Sequence, residues 1–315
     1  MKMQHIIDNH ARKRQRITLN GLFYAAISSA SFGFSPLFSL ALITAGLGMF
    51  DVLSYRWAVA AIVLVIYAIC KKKSLRFSSY EELRKIALMS FLRSLTSITL
   101  LIGYANIASG VASTINFMYP VIVALCMMLF YGEDRAWANV VAIVISIAGV
   151  YLMAHGDGLI VTGGDTKLGL ICSLISAFSF AAYYILMKKL KADKIEAVKF
   201  STWMMVFCAV YFIIGSFITH GKINIVTDVK SWLNILGLGL WATMVSNFTG
   251  VKAVRRIGPT LTSILGALQP LTAVVLGVAF LDEHLSVKTI SGISLILVAV
   301  FIIIFHQKKI SRKAH

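Results

Sequence analysis

The apolar pattern of this chain occurs twice: two sets of five membrane-length segments follow one another, and the second set restates landmarks of the first. Residues 21–32 read GLFYAAISSASF and residues 169–180 read GLICSLISAFSF. Gly21/Gly169, Leu22/Leu170, Ile27/Ile175, Ser28/Ser176, Ser31/Ser179 and Phe32/Phe180 therefore coincide at one offset of 148. Shared apolarity alone does not produce that many identities in so short a window. Further on, an offset of 150 pairs Ser113 with Ser263, Pro120 with Pro270, Phe130 with Phe280 and Glu133 with Glu283. The proline falls in mid-segment and the acid just past its end; between these blocks the identity is weak.

A chain that is 58% hydrophobic and 14% charged, with a mean hydropathy of +0.83, holds more apolar side chain than a soluble core of 315 residues can hide. Most of it must face lipid. Apolar runs of about 20 residues predict helices at 18–43, 51–70, 86–105, 109–131, 137–155, 167–188, 198–219, 232–251, 259–281 and 287–306. Ten spans put both termini on one side, and an odd number per repeat makes the second copy enter the membrane from the opposite face. The expected fold is an all-α membrane protein of ten transmembrane helices in two inverted five-helix repeats, 18–155 and 167–306. A basic N-terminus (1–17) and tail (307–315) flank them, and an external linker (156–166) joins them. Folds of this kind commonly place a site near the bilayer midplane at the repeat interface and alternate its access.

The formal net charge of +17 could suit nucleic acid, but the basic residues follow topology rather than one binding face. With the N-terminus in the cytoplasm, the same side holds Lys2, Arg12, Lys13, Arg14, Arg16, Lys71–Lys73, Arg76, Arg84, Lys85, Arg135, Lys188, Lys189, Lys191, Lys194, Lys199, Lys252, Arg255, Arg256 and the tail. Only Lys167, Lys222, Lys230 and Lys288 fall outside, and Arg56 and Arg93 fall within spans. This is the positive-inside pattern, so the expected partners are a lipid bilayer and a small-molecule substrate, with no nucleic acid. The apolar stretch after the basic N-terminus is too long for a signal-peptide core and reads as an uncleaved first helix. Cys70, Cys126, Cys172 and Cys208 are scattered singly, with no pairing or metal-ligand spacing, and packing roles are expected.

None of the Asp or Glu residues lies well inside a span, and the His residues are terminal or at span edges. An intramembrane enzyme would need nucleophile, base or ligand constellations that these types supply, so no catalysis, no metal and no cofactor are expected. Proton coupling through Asp51 or Glu283 at a cavity mouth stays open without positive support.

The spans instead carry stripes of small and hydroxylated residues at helical spacing. The first holds Ser28, Ser31, Ser35 and Ser39; the fourth Ser109, Ser113, Asn116 and Pro120; the ninth Thr262, Gly266, Gln269 and Ala273. Arg93, Ser97 and Tyr104 mark the third, Ser176, Ser179 and Tyr183 the sixth, and Thr243, Asn247 and Gly250 the eighth. Close helix packing accounts for the Ser and Gly positions. For Asn116, Gln269 and Asn247 packing and a substrate cavity are both open, because a buried amide must find partners.

Arg93 stands about eight residues inside its helix, ~12 Å along the axis, where an arginine costs about 2.5–3.5 kcal/mol on insertion scales. No carboxylate is available at that depth. It either snorkels or pairs with carbonyls, or it anchors an acidic substrate group. Arg56, nearer the outer end of its span, has Asp51 or Glu283 as expected structural partners. Pro36, Pro120, Pro259 and Pro270 all lie in spans; Pro120 and Pro270 read as paired kinks, hinges or static bends alike. Trp57, Trp137, Trp203, Trp232 and Trp241 read first as interfacial anchors, with Trp241 and Trp203 as secondary cavity candidates.

The twofold repeat, together with YANIASGVASTINFMYPVIVALCMMLFYGE (104–133) and AVRRIGPTLTSILGALQPLTAVVLGVAFLDEHLS (253–286), resembles the EamA-like branch of the drug/metabolite transporter superfamily. Each segment has small residues, a mid-helix proline and then an acid before the next span. Gly132 keeps the glycine that often precedes the acid, and Asp282 replaces it in the second half. The resemblance implies a central cavity lined by helices 1, 3, 4, 6, 8 and 9, with helices 5 and 10 peripheral and available to a homodimer. Members move amino acids and other small organic solutes, often outward.

The expected function is alternating-access metabolite export of carboxylate-bearing solutes such as amino acids, across a bacterial cytoplasmic (inner) membrane with both termini cytoplasmic. Substrate contacts are expected from Arg93, Asn116, Tyr119, Gln269, Asn247, Tyr183, Trp241 and Ser35, with hinges at Pro120 and Pro270. A non-transporting scaffold or sensor, or a channel, is the alternative.

Overall fold

The computed structural model describes residues 19–130, 137–154, 163–192 and 195–313, and every regular segment among them is helical. Helix α1 covers 19–33 and α2 Ser35–Thr44, followed by α3 Met49–Cys70, α4 Tyr80–Asn106, α5 Ser109–Asn116 and α6 Tyr119–Phe130. Next come α7 Trp137–Ala154, α8 Thr166–Lys189, α9 Ala197–His220 and α10 Val229–Leu236. A π-helical segment, Gly237–Val245, leads into α11 Ser246–Gly266, then α12 Leu268–Phe280 and α13 Val287–Lys313. The basic N-terminus 1–17, Gly132, Glu133, Arg135 and most of the expected external linker lie outside the described residues, so the expectations placed on them are not addressed.

Among the described residues, six stretches are long and apolar enough to cross a bilayer: Leu19–Thr44, Met49–Cys70, Tyr80–Asn106, Ser109–Cys126, Thr166–Met187 and Ala197–His220. Val140–Met153, Leu268–Phe280 and Val287–Ile302 are shorter apolar helices. The chain is a multi-pass membrane protein.

Helix starts follow local capping chemistry. At α4 the Ser79 hydroxyl accepts from the Glu82 N–H at 3.2 Å, and the Glu82 carboxylate accepts from the Ser78 N–H at 2.7 Å. This near-capping-box begins the helix six residues before the apolar run at 86. Asp228 caps α10 through the Ser231 N–H at 2.7 Å, and α9 ends on Gly221 at φ +68°, a left-handed stop that glycine adopts without Cβ strain.

One expected boundary is corrected. Spans at 232–251 and 259–281 called for a connection near 252–258, but α11 runs unbroken through it. Ala, Lys and Arg are good helix formers, and Lys252, Ala253, Arg255 and Arg256 continue the helix where basic polarity alone suggested a loop. The interruption comes at Ala267 instead, before α12.

Three prolines sit in the first turn after a helix break. Pro36 follows the turn at Phe34, Pro120 follows Phe117–Met118, and Pro270 follows Ala267. A first-turn position tolerates proline because its N–H would lack an intrahelical partner. The breaks touch one another. A Cβ on Gly33 would lie 2.8 Å from the Gln269 carbonyl oxygen, and one on Gly266 would lie 2.8 Å from the Phe117 ring.

Helix α4 is the central element, packed along α8 and α9 and touching α2, α3 and α5. Three of its hydroxyls bond back into the helix, Ser90 to the Ile86 carbonyl, Ser97 to Arg93 and Thr99 to Leu95, and so are satisfied locally. Helices α7 and α13 pair along their length at the periphery. At their crossing a Cβ on Gly292 would stand 2.6 Å from the Gly149 carbonyl oxygen, so close approach here requires glycine. Val144, Ile147 and Tyr151 on α7, with Ile290, Val298 and Phe305 on α13, remain exposed on the outer faces, as lipid contact demands.

Candidate functional site

Two arginines are buried in the bundle, Arg56 at 5% and Arg93 at 6% exposure. Arg56 lies on α3, where its Nε donates to the Thr243 hydroxyl at 2.7 Å and its Nη1 to the Ser35 hydroxyl at 2.9 Å. Thr243 in turn donates to the Leu238 carbonyl at 2.8 Å, five residues back. The guanidinium thus ties α3 to α2 and to the π-helical segment, whose i→i+5 spacing places the hydroxyl where Arg56 reaches it. Such segments recur at functional positions.

Arg93, on α4, is held differently. Its guanidinium lies over the Phe180 ring at 4.7 Å, the Phe32 ring at 5.6 Å and the Trp57 ring at 5.9 Å. Arg56 shares two of those rings, Phe32 at 5.5 Å and Trp57 at 5.6 Å. Among the described residues, no hydrogen bond or ion pair engages the Arg93 side chain. The ion pairs that are described, Lys73–Glu196, Lys85–Glu81 and Lys199–Glu82, lie at the helix ends.

The expected partners of Arg56 are engaged elsewhere. Asp51 accepts from the Ser216 hydroxyl, and from the Asn224 amide at 2.9 Å. Glu283 accepts from the Ser109 N–H at 2.7 Å, capping the N-terminus of α5, where a carboxylate is favoured. The tertiary fold therefore leaves two like charges on a shared aromatic pair.

An aromatic wall continues from Phe180. Tyr119 stacks on Tyr184 with centroids 5.0 Å apart and an interplanar angle of 9°, and meets Phe180 edge-on at 4.7 Å. Tyr183 stacks on Phe180 at 6.0 Å, and its hydroxyl donates to the Met204 sulfur at 3.7 Å. Asn116, buried at the end of α5, donates to the Ser176 hydroxyl at 3.0 Å. Gln269 has a buried Nε2 without a described protein partner, and its backbone lies against Gly33, next to Phe32.

Of the sequence candidates, Arg93, Ser35, Tyr119 and Tyr183 join this cluster directly, and Asn116 and Gln269 border it. Asn247 donates to the Thr243 carbonyl of its own helix at 2.7 Å. Trp241 is 45% exposed, edge-on to Phe34 at 6.4 Å, and is not part of the cluster; its depth in the sequence did not determine which way it faces. Trp203 and Trp232 fasten connecting segments, donating to the Leu75 and Val226 carbonyls. Trp57, read as an interfacial anchor, is instead fully buried between the two arginines, with its Nε1–H lacking a protein acceptor. Phe32, Phe180, Trp57 and Tyr184 are the side chains that sequence reasoning missed as site residues, while Thr243 had been picked out only as part of the eighth span's polar stripe. For Phe32 and Phe180 a signal existed, since they are the last matched pair of the first repeated block.

Among the described residues, no group of three His, Cys, Asp or Glu could hold a metal ion. The arrangement supplies buried positive charge, aromatic faces and amide and hydroxyl groups, a set suited to holding a charged solute.

The chain matches the EamA-like transporter family over residues 19–154 and 167–305. It is 25% identical over 306 residues to Protein RarD of Streptomyces exfoliatus, covering 93% of this chain and 91% of that one. The uncharacterized transporter YdfC of Bacillus subtilis is 23% identical over 241 residues, 76% of each chain. Protein PecM of Dickeya dadantii is 24% identical over 200 residues, 63% of this chain and 65% of that one. A solved crystal structure with 14% identity superposes with a TM-score of 0.62, covering 94% of this chain and 99% of that one. With both long apolar stretches matched by one family description, the chain belongs to the EamA-like transporter family.

Proposed function

We propose that the protein is an alternating-access exporter of small carboxylate-bearing metabolites such as amino acids, without enzymatic activity. Its helices would form two inverted five-helix repeats in a bacterial inner membrane with both termini cytoplasmic. Several pairings support the repeat reading: α4 on α8 is mirrored by α10 and π-segment contacts with α2, while α3–α9 and α7–α13 each join corresponding helices of the two halves. The equal offsets of the breaks at Phe117 and Ala267 support Pro120 and Pro270 as hinges. A homodimer through α7 and α13 would use the face that those helices leave exposed.

The observation that carries the proposal is Arg93, a buried guanidinium with ring contacts and no acceptor among the described residues. Burying such a charge is costly unless a counter-charge arrives, and a substrate carboxylate supplies one with a geometry that a guanidinium matches bidentately. Asn116, Tyr119, Tyr183, Gln269 and Ser35 complete the proposed contacts, with Asn247 and Trp241 further along the path. The test is flux in reconstituted vesicles: Arg93→Ala should abolish carboxylate transport while the protein remains folded by size exclusion. Full flux in that variant would remove Arg93 as the anchor.

A further inference from the structure

We infer that the Arg56–Arg93 cluster takes a solute bearing two anionic groups and discriminates against a zwitterion of the same length. This rests on the transport reading above and narrows its substrate class to dianionic carboxylates, setting aside the zwitterionic amino acids named there.

The first support is charge. Both guanidinium groups contact the same Phe32 and Trp57 rings, so one small molecule can reach both. Among the described residues every Asp and Glu belongs to a helix end or a connection, and the two nearest in expectation, Asp51 and Glu283, are committed to Ser216 and Asn224 and to Ser109. The cluster is doubly positive. A monoanion leaves one buried charge uncompensated, and a zwitterion leaves both net charges in place.

The second support is the donor inventory. Arg56 uses Nε and one Nη1 hydrogen on Thr243 and Ser35, and a guanidinium has five donors, so three remain. Arg93 has all of its donors. The Trp57 Nε1–H is a further buried donor without a protein acceptor, in a side chain of 0% exposure. A substrate ammonium finds no carboxylate here, and the ring faces of Phe32, Trp57 and Phe180 that could hold it by cation–π attraction are occupied by the protein's own arginines.

The test uses a four-carbon series that varies only the second terminal group: succinate, butyrate and 4-aminobutyrate, at a pH where both succinate carboxyls are ionised. Thermal stabilisation of the purified full chain and uptake into proteoliposomes are measured together. Succinate should act at a concentration about tenfold or more below butyrate, from the second set of charge-assisted bonds, and 4-aminobutyrate should have no effect. Arg93→Gln should bring succinate down to the level of butyrate, with an unchanged melting temperature in the absence of ligand showing that the variant is folded. Arg93→Lys should retain part of the preference. Uptake of 4-aminobutyrate equal to or above that of succinate overturns the inference while leaving a transporter. Equal responses to succinate and butyrate overturn the two-group reading alone. No response to any of the three overturns both this inference and the carboxylate-transport proposal.

Discussion

Phe32 and Phe180 face the same guanidinium, that of Arg93, although 148 positions separate them in the chain. They are equivalent residues of the repeated block, so the duplication brings two copies of one aromatic position to a single charge. Phe180→Leu keeps apolar volume and removes the ring face. A cation–π contact between two groups of the protein is worth about 0.5–2 kcal/mol of stability, so the variant should lower the melting temperature in detergent and, by releasing the Arg93 guanidinium from its fixed position, also weaken half-saturation for transport. Uptake kinetics over a substrate series checks this.

Thr243 is the acceptor that fixes Arg56 to the π-helical segment. Thr243→Val keeps the shape and removes the hydroxyl, leaving a buried guanidinium donor unpaired at a cost of about 1–3 kcal/mol. The expected outcome is a lower melting temperature in detergent that Thr243→Ser largely restores.

Asp51 bonds Ser216 and Asn224 rather than either arginine. Asp51→Asn should therefore destabilise the connection after α9 while leaving substrate affinity unchanged within about threefold, given the ~0.5 kcal/mol tolerance for uncoupled sites. A parallel change in affinity would mean that Asp51 does compensate the arginine cluster.

Glu283 lies between α12 and α13, and a Cβ added at Gly277 would collide with its carboxylate. Burial pushes its carboxyl above the ordinary glutamate range, against the lowering effect of its bond to Ser109. A raised carboxyl pKa means that the folded state binds the proton more tightly than the unfolded one. This group's contribution to stability should therefore fall as pH rises from the unfolded value through the raised folded one. Glu283→Gln should flatten that dependence, and Gly277→Ala should destabilise at every pH by about 1–3 kcal/mol through overpacking. Melting temperatures across mildly acidic to neutral pH test both.

Much of the fold was legible because lipid imposes a simple rule on composition: runs such as 51–70 and 198–219 reappear as α3 and α9 within two residues at each end. The depth of Arg93 was legible for the same reason. Its ring partners were not, since hydropathy fixes how deep a residue sits but not which way its helix turns it, and Trp57 and Trp241 exchange their expected surroundings on that account. The π-helical segment at 237–245, which presents Thr243 to Arg56, is announced by no local pattern. The continuous α11 was missed because a basic stretch resembles a loop until the helix propensity of its residues is considered.

The breaks at Phe34, Phe117–Met118 and Ala267 belong to three different parts of the chain yet meet around Gly33, Gln269 and Gly266. Each is followed by a proline that has no amide hydrogen to give. A bundle with unbroken helices would resist bending equally at every level. Here one crease crosses the molecule beside the arginine cluster, and tilting the segments beyond it, α2, α6 and α12, against the rest forfeits few backbone hydrogen bonds that the prolines had not already removed.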